Sequence, residues 1–148
     1  ELKAMALYNR GASYGKLNPP RTEEAIADCT AVIEMADATP EQKAIAYGNI
    51  GFIMFEKYDD IASLLENTEK ALGICDDYVW RYNLGLAKLF LGEPSEAIKL
   101  CLPAIEECVH QYNIDGALEL LKAKRRLLPE TSRVAYDEIV RRLKEKKI

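Results

Sequence analysis

Residues 80–104, WRYNLGLAKLFLGEPSEAIKLCLPA, decide the fold. Apolar side chains recur at helical spacing from Trp80 to Leu91. Gly92 then ends that helix, because glycine accepts the left-handed turn that closes a helix at no steric cost. Pro94 and Ser95 open a second helix, since a proline at the first helical position gives up only an N–H that has no partner there. Midway along the first of these helices stands Asn83-Leu84-Gly85, and counting from Gly85 as position i, Ala97, Cys101 and Ala104 fall at i+12, i+16 and i+19. Small residues at such offsets let the two helices of a pair approach closely.

The same triplet recurs outward from this stretch, first as Asn49-Ile50-Gly51 and, after a slightly longer interval, as Asn9-Arg10-Gly11. The additional residues of that longer interval fit in loops around Pro19-Pro20 and Thr39-Pro40. Gly51 and Gly85 are separated by about 34 residues, and self-similarity at such a period marks an array of stacked helix pairs.

Eight helices are expected, and β-branched residues nowhere alternate with polar ones long enough to suggest a strand. The first covers about Leu2 to Leu17 and stops before Asn18-Pro19-Pro20, because a residue preceding proline disfavours helical geometry. The second starts after Thr22, taken as its cap, and ends near Asp37. Thr39-Pro40-Glu41-Gln42 reads as a capping box with proline at the first helical position, opening a third helix that runs to about Phe55. After a break at Tyr58-Asp59-Asp60 the fourth helix carries Ile61, Leu64, Leu65, Thr68, Ala71 and Leu72. The fifth spans about Asp77 to Leu91 and the sixth Pro94 to about Val109, with a kink expected at Pro103. The seventh covers about Ile114 to Leu127. Pro129-Glu130-Thr131 starts the eighth, where Tyr136, Ile139, Val140 and Leu143 share one face.

On these residues the chain resembles the tetratricopeptide repeat family, whose helix-turn-helix units place small residues where Gly85, Ala97 and Ala104 fall here. The unit from Trp80 to Val109 matches best, through Leu84-Gly85, Ser95-Glu96-Ala97-Ile98 and Ala104. The preceding unit matches at Ile50-Gly51 and Ala71-Leu72, carries one extra residue, and has Leu64 where alanine is usual. The first matches at Gly11, Tyr14 and Glu24-Ala25-Ile26. The family's usual early aromatic falls on Leu7, Tyr47 and Arg81, and its closing proline is missing. The resemblance implies an all-α fold, an α-solenoid of about three repeats at 2–37, 40–76 and 77–110 with a capping helix pair at 112–147, together a single domain over 1–148. It also implies a scaffold or adaptor whose first helices line a concave groove for a protein or peptide. Asn9, Asn49 and Asn83 would form an amide ladder able to donate to and accept from an extended backbone. Tyr8, Phe52, Phe55, Tyr82, Leu86 and Phe90 would add apolar and aromatic anchors beside it. Leu7-Tyr8-Asn9-Arg10 is similar to part of the clamp with which some family members hold acidic chaperone tails. The next unit puts Ile45 and Asn49 where that clamp needs cations, so a neutral or apolar segment is the expected partner.

Composition bounds the remaining readings. In 148 residues, 49% are apolar and 30% charged, the balance of a globular helical protein. The net charge of −4 is uneven, with −10 over residues 1–121 and +6 over residues 122–148. A basic end of this kind can serve nucleic acid or an acidic partner, and this is the runner-up reading, through Lys122, Lys124, Arg125, Arg126, Arg133, Arg141, Arg142, Lys144, Lys146 and Lys147. The acidic remainder opposes it. Self-association through exposed ends of the array, giving a homo-oligomer, is a third reading. No apolar run is long enough to span a membrane, so no membrane partner is expected. Cys29, Cys75, Cys101 and Cys108 lack CxxC pairing and read as buried apolar residues in a reducing, cytoplasmic setting. The single histidine, His110, has no nucleophile or acid beside it, Cys108 two residues away diverges from it on a helix, and no phosphate-cradling glycine loop occurs. No metal, no cofactor and no enzymatic activity are therefore expected. The chain begins at Glu1 inside a helical pattern, which suggests a piece of a longer protein.

Overall fold

Thr39 shows how local chemistry sets the helix boundaries. Its hydroxyl accepts from the Gln42 backbone N–H at 3.1 Å while the Gln42 side chain accepts from the Thr39 N–H at 2.9 Å, so two otherwise orphaned donors at the helix start are satisfied. The computed structural model describes residues 21–148, and the expected helix over Leu2–Leu17 lies outside them. Seven α-helices and no strand occur among the described residues, and neighbouring helices pack in pairs. They are α1 (Thr22–Glu34), α2 (Pro40–Tyr58), α3 (Ile61–Ile74), α4 (Tyr78–Phe90), α5 (Pro94–Glu107), α6 (Gln111–Lys124) and α7 (Arg133–Glu145). Short 3-10 turns at Arg125–Leu127 and Glu130–Ser132 join the last two.

Several ends differ from the sequence reading. Thr22 is the first helical residue of α1 rather than its cap; the Arg21 guanidinium instead reaches Glu24 at 3.2 Å. That helix ends at Glu34, not Asp37, and the chain reverses over Met35 to Thr39 before Pro40 opens the next. α2 continues beyond Phe55 to Tyr58 and closes on Asp59, whose φ of 56° is the left-handed conformation that aspartate tolerates better than most residues. Asp60 then caps α3 by accepting from the Ser63 N–H at 2.9 Å. Asp77 caps α4 through the Val79 N–H at 2.8 Å, and Gly92 follows its end at φ 80°. α5 stops at Glu107, short of Val109, and its helix runs through Pro103, which is exposed. α6 starts at Gln111, ahead of Ile114, with the Gln111 side chain donating to Asp115 one turn on. The stretch after Pro129 forms a 3-10 turn before α7 begins at Arg133.

The chain divides into two compact units, one ending at Asp76 and the other covering Asp77–Ile148. The short turn Cys75–Asp77 that separates them contains no Pro, Gly or Ser, which is why composition gave no linker there. In the first unit α2 packs on both α1 and α3. Cys29, Val32 and Ala46 are wholly enclosed between α1 and α2, with Ile33, Met35, Ala38 and Ile50 packed around them. In the second, α4 pairs with α5, and α7 lies against α5 and α6. Leu86, Leu89, Cys101, Leu121, Ile139 and Leu143 fill that interior.

Candidate partner-binding surface

The two glycines of the repeat do the same work in both units. A Cβ placed on Gly51 would stand 3.3 Å from the Ser63 carbonyl oxygen and 3.1 Å from Asn67 Cβ. On Gly85 it would stand 3.2 Å from the Ala97 carbonyl oxygen and 2.5 Å from Cys101 Sγ. In both pairs positions i+12 and i+16 relative to the glycine are among the contacts, so α2/α3 and α4/α5 cross at a similar register. A hydrogen at these positions lets the helices come this close without the neighbours giving way.

This crossing fixes which side chains of α2 and α4 remain accessible. Asn49 and Phe52 are half-buried on α2, as are Ile45 and Glu56. Phe55 is fully enclosed. On α4, Asn83, Leu86 and Phe90 are buried, so in this conformation they present no surface to an incoming segment. The Asn83 amide and the half-buried Asn49 amide thus stand in different surroundings. Tyr82 is half-buried overall, yet its hydroxyl is closed off from solvent without a hydrogen-bond partner. Burial pushes that phenol well above its ordinary pKa, and the neighbouring Cys101 and Tyr136 add to the effect. Tyr8 and Asn9 lie outside the described residues.

Several cations of the basic C-terminal region are engaged with carboxylates. Arg141 brackets Glu138 at 2.7 Å and Glu145 at 2.8 Å on the outer face of α7. Arg142 pairs with Glu106 of α5 at 2.7 Å, and the Lys146 ammonium donates to the Glu106 carbonyl at 2.6 Å. The hydrogen bond from Arg142 holds the Glu106 carboxyl below the usual carboxylate range, and Arg141 does the same for Glu138. Arg81 of α4 pairs with Glu107, and Lys124 is buried. Glu106, Arg142, Glu145, Lys146 and Lys147 line a shallow depression of about 330 Å³ in which both signs of charge are mixed.

All four cysteines are free, and Cys29, Cys101 and Cys108 are buried. Burial and then the Asp28 carboxylate push the Cys29 thiol up to about 11, and burial raises Cys101 further. Among the described residues no three of His, Cys, Asp and Glu gather as a metal ion would require, and no helix is long and apolar enough to cross a membrane. The sequence reading missed the exposed end between α5 and α6, where Val109 and Tyr112 are exposed and the His110 and Tyr112 rings stack with centroids 5.1 Å apart. No periodicity could have found it, because it lies in a loop and the first turn of a weakly amphipathic helix. No family model, curated protein or solved structure matches this chain.

Proposed function

We propose that this protein is a tetratricopeptide-like scaffold or adaptor, without enzymatic activity, that holds a neutral or apolar protein segment on the first helices of its helix pairs. What supports the reading is the shared register of Gly51 and Gly85 against the residues at i+12 and i+16. A glycine-locked pair that recurs along the chain makes a rigid support, and rigid support lowers the ordering penalty of binding. On α2 the accessible contact would come from Asn49, whose amide offers both donor and acceptor, and Phe52 beside it.

The test is capture from lysate on immobilised wild type and on Asn49→Ala/Phe52→Ala, at low and high salt, after thermal melts have shown the variant to be folded. A polypeptide retained by wild type at both salts and lost from the variant supports the reading. Equal retention by both proteins removes the α2 face from it. Nucleic acid retained at low salt alone would move the function to the basic C-terminal helices.

A further inference from the structure

At the elbow between α6 and α7, positive charge is set out toward solvent. Tyr136 fixes the geometry from beneath: its hydroxyl donates to the Leu121 carbonyl at 2.9 Å, and the Arg125 guanidinium lies 5.5 Å from the centre of its ring. Placement over the ring restrains that guanidinium, so less freedom is lost when it takes an acceptor. Lys122 follows Leu121 in the last turn of α6, and Arg133, three residues before Tyr136, opens α7. All three cations are exposed. Arg133 reaches Glu130 at 3.7 Å in an exposed pair of the kind that contributes little. Lys122 and Arg125 form no ion pair with a described carboxylate. Farther along α7 the arrangement differs, since Arg141 and Arg142 are each held by glutamates.

The patch is bounded as well as basic. Glu119, one turn before Lys122, and Asp137, one turn after Arg133, are both exposed. One turn is about 5 Å along a helix, inside the Debye length of roughly 8 Å at physiological salt, so both carboxylates act on whatever extends past the cations. A long polyanion such as nucleic acid, or an anionic lipid surface, carries its charge beyond the patch and meets that repulsion. A segment whose charge is confined to a few residues meets the cations alone. Guanidinium forks suit planar carboxylates, taken two bonds at a time. Val134, 82% exposed next to Arg133, offers an apolar contact beside them.

We propose that the α6/α7 elbow docks a short acidic segment of another polypeptide through Lys122, Arg125 and Arg133. This contact is separate from the one proposed on α2 and stands without it. The test is amide NMR on the full chain, titrated with a capped peptide of four glutamates, with its glutamine counterpart, and with single-stranded DNA of about 20 nucleotides. Expected is saturable shifting of amides around residues 121–134 by the glutamate peptide, reversed at high salt. Its affinity should fall about fivefold or more in Lys122→Gln/Arg133→Gln and less than about twofold in Arg141→Gln/Lys144→Gln, which removes the same charge farther along α7. All four substituted side chains are exposed, and spectra that overlay away from them establish that the variants fold alike. Equal losses in the two variants overturn the site in favour of a general field. Equal shifts from the glutamine peptide, or DNA bound about tenfold more tightly at the same amides, overturn the acidic segment as its occupant.

Discussion

Gly85 and Gly116 are both helical glycines, and the structure gives them opposite roles. At Gly85 a methyl group would meet Cys101 Sγ at 2.5 Å, with Leu100 Cβ at 3.1 Å and the Ala97 carbonyl at 3.2 Å also close. The gain in helix propensity from alanine is about 1 kcal/mol, and overpacking a tight contact costs roughly 1–3 kcal/mol, so overpacking wins. Gly116 stands exposed in α6 with nothing within 4 Å of an added methyl, leaving propensity alone to act. Urea unfolding should therefore show Gly85→Ala destabilised by about 1–2 kcal/mol and Gly116→Ala stabilised by about 0.5–1 kcal/mol. A stable Gly85→Ala would remove the close crossing on which the repeat register rests. Sequence alone singled out Gly85, through its distance to Ala97 and Cys101, but had no means to tell that Asn83, two positions earlier, is buried. Burial depends on what packs over a residue, and that is not written in its spacing.

Helix ends test how far local signals govern the elements. The Thr39–Gln42 box formed as read because both of its hydrogen bonds are local and the following proline fixes the first helical turn. Thr39→Ala removes the acceptor for the Gln42 N–H and should lower stability by about 1 kcal/mol in thermal or urea unfolding, whereas Thr22→Ala, with no capping bond to lose, should change it by less than about 0.5 kcal/mol. Equal losses in the two variants would mean that the box contributes nothing. Legibility fails where tertiary contacts compete. Pro129-Glu130-Thr131 reads as a helix start, yet these residues enter a 3-10 turn, the Ser132 hydroxyl is drawn to the distant Leu89 carbonyl, and the helix begins at Arg133. The basic run was legible as charge, but not that Glu106, Glu138 and Glu145 come to its Arg141 and Arg142 from α5 and from α7 itself.

Among the described residues, the groups that burial has perturbed most are thiols and phenols kept neutral in both units: Cys29 in the first, Cys101 and Tyr82 in the second. Each is an acid whose folded-state pKa lies above its unfolded value. The neutral form is therefore favoured by folding, and the stability it contributes is complete below the unfolded pKa and is lost as pH climbs toward the folded one. For Cys29 that window runs from the ordinary thiol value of 9.0 to about 11. A shift of this size in a fully enclosed group corresponds to roughly 2–3 kcal/mol across the window. At the acid end the lowered carboxyls of Glu106, Glu107 and Glu138 act with the opposite sign, losing their stabilising effect as pH falls below the ordinary carboxylate range. They are exposed, so salt and solvent keep that limb shallow. Denaturation midpoints measured against pH should thus form a plateau from mildly acid to about pH 9, with a steep alkaline fall. Cys29→Ala should be less stable than wild type on the plateau, through the small cavity it leaves beside Val32 and Ala46. The gap should narrow between about pH 9 and 11, because the variant has no thiol to ionise on unfolding. Parallel alkaline limbs in the two proteins would show that Cys29 ionises alike in the folded and unfolded chains, and that the packing between α1 and α2 does not exclude water as the structure has it.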